Sequence, residues 1–207
     1  MAAFRFLAHS IVAWIGGRGR MRISRLTWPP MFSSCSRAML RILGWHLVDH
    51  RPPALGSAIY LVVPHTSNWD FFLGLFARSA LRIRANYLAK KSLFDSPVGW
   101  FFRALGGYPV DRSKSTNLTD QVVAYFNTVP GFSMAITPEG TRAKVDTWKT
   151  GFWRIAHKAK VPLVLTSFDY SKKEITLSKP YQVSDDMEKD IAELMTYFKP
   201  FVGKNPN

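Results

Sequence analysis

The residues best suited to catalysis in this sequence are a histidine and a nearby aspartate, His65 and Asp70. They lie in the string Pro-His-Thr-Ser-Asn-Trp-Asp, which begins at Pro64. The preceding run, 60–63, is short, apolar and β-favouring, and the following run, 69–81, is largely apolar and long enough for a helix. We therefore expect His65 at the end of a strand and Asp70 in the first turn of the next helix.

One use of this pair is a base that is oriented by a carboxylate. In a tight strand-to-helix turn, Asp70 can hold one imidazole nitrogen of His65, which leaves the other nitrogen as a neutral acceptor facing a cleft. Such an acceptor can take the proton from a substrate hydroxyl as that hydroxyl attacks an acyl carbon. The structural alternative is that Asp70 merely favours the helix N-terminus and His65 hydrogen-bonds in the core. An isolated pair at this spacing leaves both interpretations open.

The loop 137–142, Thr-Pro-Glu-Gly-Thr-Arg, brings an acid, a glycine and an arginine close together after the strand-like run 132–136. Gly140 permits a close approach of a ligand to the backbone. Arg142 can bind a phosphate through two parallel hydrogen bonds, and Glu139 can accept from a hydroxyl or hold the arginine in place. A surface turn with a local Glu–Arg pair is the alternative interpretation.

A further arginine, Arg112, follows the strand-like run 107–110. One interpretation is that Arg112 is a solvent-exposed arginine of a loop. A second guanidinium at a strand end is, however, also what the site of an anionic substrate requires.

Other catalytic chemistries find less support in the sequence. A Gly-x-Ser-x-Gly nucleophile motif is absent, and the single cysteine, Cys35, falls within an apparent helix. The five histidines are scattered without the spacing of a metal site. We therefore expect neither a catalytic triad nor a metal or bound cofactor.

Taken in this order and at this spacing, these segments resemble the glycerolipid acyltransferase family, which contains 1-acylglycerol-3-phosphate acyltransferase. The resemblance runs from about residue 40 to residue 170, and it implies that His65 is a general base oriented by Asp70. It also implies that the apolar segment 161–164 shapes an acyl pocket. The residues that it implies for binding the phosphate and glycerol of the acceptor are Lys91, Arg112, Glu139, Gly140, Thr141 and Arg142.

The implied reaction moves a fatty acyl group from acyl-CoA or acyl-carrier protein to the free hydroxyl of a lysophospholipid. The expected acceptor is 1-acylglycerol-3-phosphate, in phospholipid biosynthesis. The transfer would be direct, without an acyl-enzyme, and a backbone amide would stabilise the oxyanion. Two alternatives stay open: another lyso-lipid acceptor, or a basic, non-catalytic protein that binds membrane or nucleic acid. Binding alone needs none of His65, Asp70 and Glu139, which counts against the second alternative.

The charge of the chain favours a membrane surface as partner. The net charge is +14, and half of this surplus lies within residues 1–69, which hold eight arginines and one acidic residue. A basic segment of this kind attracts anionic lipid headgroups, at about 1 kcal/mol per basic residue near the surface. Nucleic acid is the competing partner for any basic protein.

The pattern of apolar residues helps to decide between these partners. Stripes of apolar residues at helical spacing occur in 4–15 and 32–42, each with a basic residue on the opposite side. Such stripes are typical of helices that lie in a bilayer interface, whereas packing on the domain is the alternative. No stretch reaches the roughly 18–20 apolar residues needed to span a bilayer. We expect membrane association at the cytoplasmic face of the cell membrane, and no nucleic-acid partner.

The length of 207 residues suits one domain with a substantial core. We expect residues 1–31 to form a basic, amphipathic membrane-associating segment and residues 32–207 to form the acyltransferase domain. Strand-like and helix-like runs alternate, which predicts an α/β fold with a mixed or mostly parallel sheet covered by helices. One edge of that sheet would gather His65, Arg112 and Glu139. The predicted strands are 58–63, 85–88, 107–110, 132–136, 162–167 and 174–178, and the predicted helices are 32–43, 69–81, 97–105, 116–128, 150–160 and 185–199.

Overall fold

A computed structural model describes residues 30–110, 118–143 and 145–205. Arg112 and almost all of the predicted membrane segment, 1–31, lie outside these described residues. The boundary expected at residue 31 therefore stays a prediction.

The sheet contains seven strands within the described residues. All the predicted strands are confirmed, and the first strand is an addition, because only its two central residues, between His46 and Asp49, are apolar. The strands are His46–Asp49 (β1), Ile59–Val63 (β2), Ala85–Lys90 (β3), Gly107–Val110 (β4), Ser133–Ile136 (β5), Leu163–Asp169 (β6) and Glu174–Tyr181 (β7).

Helices connect most of these strands. All the predicted helices are confirmed, and one short helix after β3 is an addition. The helices of the described residues are Pro30–Ile42 (α1), Trp69–Ala80 (α2), Lys91–Phe94 (α3), Gly99–Ala104 (α4), Leu118–Thr128 (α5), Gly151–Ala159 (α6) and Met187–Phe198 (α7).

The strand order across the sheet is β1-β7-β6-β2-β5-β3-β4. Neighbouring strands run parallel except for β6 and β7, which are antiparallel. The predicted mixed, mostly parallel sheet is therefore confirmed. Because β2 lies between β6 and β5, the loop that follows β2 opens near the middle of the sheet edge.

Helices cover both faces of the sheet, and the alternation of side chains along β2 shows how. Ile59 and Leu61 pack in a core with α5, α6 and α7, whereas Tyr60 packs on the opposite face with α1 and α2. Strand β6 is buried at every position. Burial on both faces is typical of the parallel part of an α/β sheet.

Helix α1 buries Leu40 and two serines against the domain and leaves its apolar stripe exposed. Ser33 and Ser36 are buried, and Ser33 Oγ donates to the carbonyl of Ala80 in α2 over 3.1 Å. Ile42, at the end of the stripe, is 80 % exposed. The alternative in which this stripe packs on the domain is therefore wrong. The other members of the stripe are also exposed: Phe32, Cys35 and Met39.

None of the helices within the described ranges is long and apolar enough to cross a bilayer.

Candidate active site

Three polar side chains gather where neighbouring parallel strands end. Strand β2 runs parallel to both β5 and β6, so the carboxyl ends of these strands lie at one edge of the sheet. His65 follows β2, Glu139 follows β5 and Tyr170 follows β6. The structure thus brings His65 and Glu139 together at one edge, as expected from the alternating elements.

The imidazole of His65 and the carboxylate of Asp70 are in contact. Nδ1 of His65 lies 3.2 Å from Oδ2 of Asp70, whose side chain is only 1 % exposed. A proton on Nδ1 makes this contact a hydrogen bond and leaves Nε2 as an acceptor. The histidine side chain is 21 % exposed and lines a large cavity. The pair therefore has the geometry that a general base requires.

The carboxylate of Asp70 accepts hydrogen bonds from three donors in addition to its contact with His65. Its Oδ2 also accepts the backbone N–H groups of Thr66 and Ser67, each at 2.9 Å, and its Oδ1 accepts the hydroxyl of Tyr170 at 2.6 Å. Burial by itself would raise the pKa of Asp70, but hydrogen bonds from His65, Tyr170 and Ser67 outweigh burial and hold the pKa below its usual value. The carboxylate therefore stays ionised at neutral pH and fixes both the loop and the imidazole.

Glu139 bonds to the backbone of the histidine and not to the neighbouring arginine. Its Oε2 accepts the N–H of His65 at 2.9 Å. Within the described chain, Glu139 and Arg142 form no ion pair. The interpretation of this loop as a surface turn with a local Glu–Arg pair is therefore wrong. Burial raises the pKa of Glu139, and the hydrogen bond from His65 offsets this only in part.

Gly140 has a backbone geometry that favours glycine. Its φ is +66°, in the left-handed region, and a Cβ atom there would lie 2.7 Å from Cε of Lys149. The N–H of Lys149 donates to the carbonyl of Pro138 at 2.8 Å, which fixes this close approach. Lys149 thereby becomes a cation of the site that the sequence motifs did not reveal.

A cavity of about 1290 Å³ opens beside His65, between helix α2 and the sheet. Its wall is mainly apolar and draws on strands from β7 across to β4. The apolar wall includes Phe71, Leu75, Met134, Ile136, Phe168 and Leu177, and the polar border includes His65, Asp70, Thr141, Arg142 and Lys149.

The residues expected to bind the acceptor are brought together only in part. Gly140, Thr141 and Arg142 line the same cavity as His65. Lys91 does not line it, because its ammonium is directed to Asp95, with Nζ 2.8 Å from a carboxylate oxygen on the exposed surface. Arg112 follows β4 but lies outside the described residues.

Two parts of the site were missed by the sequence analysis. Tyr170 follows a predicted strand, so the strand-end argument that selected His65 would also have selected Tyr170. The segment 201–205 packs against the His65 loop, where Asn205 donates from its N–H to Thr66 Oγ1 at 3.2 Å and from Nδ2 to the Thr66 carbonyl at 3.0 Å. No periodicity or motif in the sequence connects these distant positions.

Among the described residues, no group of three or more His, Cys, Asp or Glu side chains is arranged to hold a metal ion.

Known proteins resemble this chain in sequence pattern and in fold. The model of the acyltransferase family matches residues 47–167. The fold is similar to that of PlsC, the 1-acyl-sn-glycerophosphate (LPA) acyltransferase from Thermotoga maritima, with a TM-score of 0.57 and 16 % sequence identity. That similarity covers 82 % of this chain and 76 % of the other, and at this identity it bears on the fold alone. No curated protein sequence matches this chain.

The family match extends over more than half of the chain, from β1 almost to the end of the buried strand β6. It therefore includes the loops that carry His65, Asp70, Glu139 and Arg142. This agrees with the family that the order and spacing of the motifs predicted: the chain belongs to the acyltransferase family.

Proposed function

We propose that this protein transfers a fatty acyl group from a thioester donor to the free hydroxyl of a lysophospholipid, with 1-acylglycerol-3-phosphate as the acceptor. Membership of the acyltransferase family supports acyl transfer. The observation that carries the proposal is the contact of His65 Nδ1 with Asp70 Oδ2 at 3.2 Å, beside a largely apolar cavity. The fold similarity to an LPA acyltransferase supports the choice of acceptor.

The chemistry starts at Nε2 of His65. This nitrogen takes the proton of the acceptor hydroxyl while the hydroxyl oxygen attacks the carbonyl carbon of the thioester. An ester bond forms, the carbon–sulfur bond breaks, and the leaving thiolate receives the proton from the imidazolium. Asp70 stabilises the imidazolium without taking its proton, because its lowered pKa keeps the carboxylate ionised.

The apolar cavity suits a long acyl chain. Its volume of about 1290 Å³ is larger than the roughly 300–1,000 Å³ that is usual for small-molecule sites. Burial of each methylene group contributes about 0.8 kcal/mol. Long-chain substrates should therefore bind more tightly than short-chain analogues that make the same polar contacts.

Cations that border the same cavity suit the phosphate of the acceptor. That phosphate is only a few bonds from the reacting hydroxyl, so its partners must lie close to His65. Arg142 and Lys149 meet this condition, and the planar guanidinium of Arg142 can bind phosphate through two hydrogen bonds. We propose Arg112 as a second guanidinium partner, and Lys91 has less geometric support because it pairs with Asp95.

We further propose that the protein works at an anionic membrane surface, on the cytoplasmic face. The outward apolar stripe of α1 supports this, since an exposed stripe of this kind can enter the interface of a bilayer. The positive charge of residues 1–69 would add attraction to anionic headgroups. Residues 1–31 would form a membrane-associating segment next to the acyltransferase domain.

A transfer assay with a panel of substrates tests the proposal. Acyl-CoA and acyl-carrier protein are each supplied with 1-acylglycerol-3-phosphate, with other lysophospholipids and with an amino-acid-containing lyso-lipid. We expect the highest kcat/KM with 1-acylglycerol-3-phosphate. A higher kcat/KM with another lyso-lipid would keep the chemistry and change the acceptor, and absence of transfer to any acceptor by the folded protein would refute the proposal.

A labelling experiment tests direct attack. Incubation with a radioactive acyl donor and no acceptor should leave no covalent label on the protein. Stoichiometric label that survives denaturation and is removed by acceptor would instead establish an acyl-enzyme route.

A further inference from the structure

A second groove, of about 630 Å³, borders the loop that follows His65 but is not lined by His65 itself. Its lining comes from Thr66–Trp69, from Arg142 and Ala143, and from Lys204 and Asn205. We name it the 204 groove. Asn68 and Arg142 border both this groove and the large cavity, so the two spaces meet at these side chains.

The backbone holds Lys204 at this groove. On one side, Asn205 makes two hydrogen bonds with Thr66. On the other side, Gly203 approaches Thr66 so closely that a Cβ atom would lie 2.6 Å from the threonine hydroxyl oxygen. Between these two anchors, the ammonium of Lys204 lies 5.0 Å from the centre of the Trp69 ring. The position of the ammonium is therefore set by the contacts of Gly203 and Asn205 with Thr66 and by the contact of Lys204 with the Trp69 ring.

The 204 groove has two cations and no carboxylate among its lining residues. Within the described ranges, neither Lys204 nor Arg142 forms an ion pair with an acidic side chain. Two like charges that face one groove repel each other, and a bound anion between them replaces repulsion by charge-assisted hydrogen bonds. The side chains of Ser67 and Asn68 supply additional donors. A phosphate group fits this combination of charge and donors.

The separation from His65 indicates which substrate carries this phosphate. The phosphate of a lysophospholipid lies a few bonds from the reacting hydroxyl, so it must share the large cavity with His65. The phosphate of a CoA or carrier-protein thioester lies at the far end of a long pantetheine arm. It therefore needs a space that adjoins the cavity without containing the base, which describes the 204 groove.

We propose that the 204 groove binds the phosphate of the thioester donor, with Lys204 as its principal cation and Arg142 at the boundary with the acceptor site. This inference rests on the proposed transfer from a thioester. It assigns donor recognition to a lysine outside the matched acyltransferase region, which ends at residue 167.

The kinetic test is Lys204→Gln, with Lys199→Gln as the matched control. Lys199 is also an exposed lysine near the end of α7, but it does not line the groove. We expect Lys204→Gln to raise the KM for acyl-CoA roughly tenfold, equivalent to about 1.4 kcal/mol, while the acceptor KM and the kcat at saturating donor stay unchanged. Lys199→Gln should leave all three constants at their wild-type values.

Comparison of the two thioester donors shows whether the groove binds the pantetheine phosphate or the phosphates of the CoA nucleotide. An increase in KM for both acyl-CoA and acyl-carrier protein assigns the groove to the pantetheine phosphate that the two donors share. An increase confined to acyl-CoA assigns it to the phosphates of the nucleotide. A change confined to the acceptor KM, or no change with either donor, overturns the proposal.

A binding measurement separates this proposal from the proposed function. CoA without an acyl group is titrated calorimetrically into the full-length protein in the absence of acceptor. Weaker binding to Lys204→Gln than to Lys199→Gln supports the groove even if acyl transfer is refuted. Equal binding to both variants overturns the groove for CoA even if acyl transfer is established.

Discussion

Tyr170 donates its hydroxyl proton to Oδ1 of Asp70 over 2.6 Å, although the two residues lie 100 positions apart. Asp70 contacts Nδ1 of His65 through its other oxygen. Burial raises the pKa of Tyr170 and the hydrogen bond to Asp70 raises it further, so the hydroxyl stays a protonated donor at every pH of interest. The imidazole is thus oriented by a carboxylate that is itself fixed from two sides.

Tyr170→Phe removes this donor and keeps the ring that packs edge-on against Trp45. The pKa of Asp70 should rise, because one of the hydrogen bonds that lower it is lost. We expect kcat to fall and the free energy of unfolding at neutral pH to drop by about 1.5–3 kcal/mol. A carboxyl with a lowered folded-state pKa stabilises the fold above its unfolded-state pKa, and this stability is lost as the pH falls through the folded value. The difference between variant and wild type should therefore shrink in acid, which urea unfolding at several pH values measures.

Tyr181→Phe is the matched control for this prediction. Tyr181 also donates to a buried aspartate, Asp190, at 2.9 Å, but it lies outside the candidate site. The Tyr181→Phe variant should have a lower free energy of unfolding than wild type. Its kcat, measured at a temperature where the variant is folded, should be unchanged. An equal fall of kcat in both tyrosine variants would contradict a positioning role for Tyr170.

His65→Ala should reduce kcat by about 10²–10⁴-fold, the usual contribution of a general base. Asp70→Asn should also be severely impaired, because the amide no longer favours the proton on Nδ1 of the imidazole. His157→Ala is the control, since this ring stacks on Trp153 and pairs with Asp185 on the exposed surface. Near-normal turnover by folded His65→Ala would rule out the proposed base.

Glu139→Gln should separate stability from activity. The raised folded-state pKa of Glu139 means that its ionisation opposes folding at neutral pH. This penalty is absent below the usual carboxyl pKa of about 4.3 and is complete above the raised value. The variant should therefore be more stable than wild type at neutral pH and show no advantage in acid, while its kcat/KM falls. Unfolding curves at neutral and acidic pH check this, and lower stability at neutral pH would contradict it.

Arg142→Ala should raise the KM for the phosphate-bearing acceptor more than the KM for the donor. The guanidinium borders the cavity that His65 also lines, which is where the proposed acceptor would place its phosphate. Initial-rate kinetics with each substrate varied in turn measure both constants. A variant with wild-type acceptor kinetics would indicate that the acceptor is neutral or zwitterionic at this position.

Membrane binding should depend on the outward stripe of α1 and on residues 1–31. Met39→Ser/Ile42→Ser changes exposed positions, so the free energy of unfolding should change by no more than about 0.5 kcal/mol per site. Sedimentation with vesicles that contain anionic lipid should fall for this variant and for a deletion of 1–31. Ala192→Ser, an exposed change on α7, should bind as wild type does.

High salt should release part of the bound protein, because exposed charges are screened within about 8–10 Å at physiological ionic strength. Undiminished binding by both the stripe variant and the deletion would show that another surface contacts the membrane.

The elements of this fold could be predicted because their signals are local. The alternation of side chains along β2 depends only on residues that are close together in the sequence. The same is true of the apolar run at 69–81, which predicts a helix. Strand β1 was missed because both of its end residues are polar, which leaves an apolar run of only two residues. The order of the strands depends on pairing between distant segments, and no local pattern contains that information.

The contacts of the candidate site also divide into local ones, which could be predicted, and contacts between distant segments, which could not. The spacing of His65 and Asp70 is local, so their contact could be expected from the turn between a strand and a helix. The partner of Glu139 was predicted to be a polyol hydroxyl of the substrate or Arg142, but within the protein it is the backbone N–H of His65, in the loop that follows the adjacent strand. Tyr170 also reaches the site through the arrangement of parallel strands.

The bond between Asn205 and Thr66 joins positions 139 residues apart. A ribosome adds on the order of 5–20 residues per second, so Thr66 exists for on the order of ten seconds before its partner has been synthesised. During that interval the nascent polypeptide contains His65 and Asp70 but neither the residue that hydrogen-bonds to Thr66 nor Lys204. Completion of the contacts on Thr66 therefore waits until residues 203–205 have been synthesised.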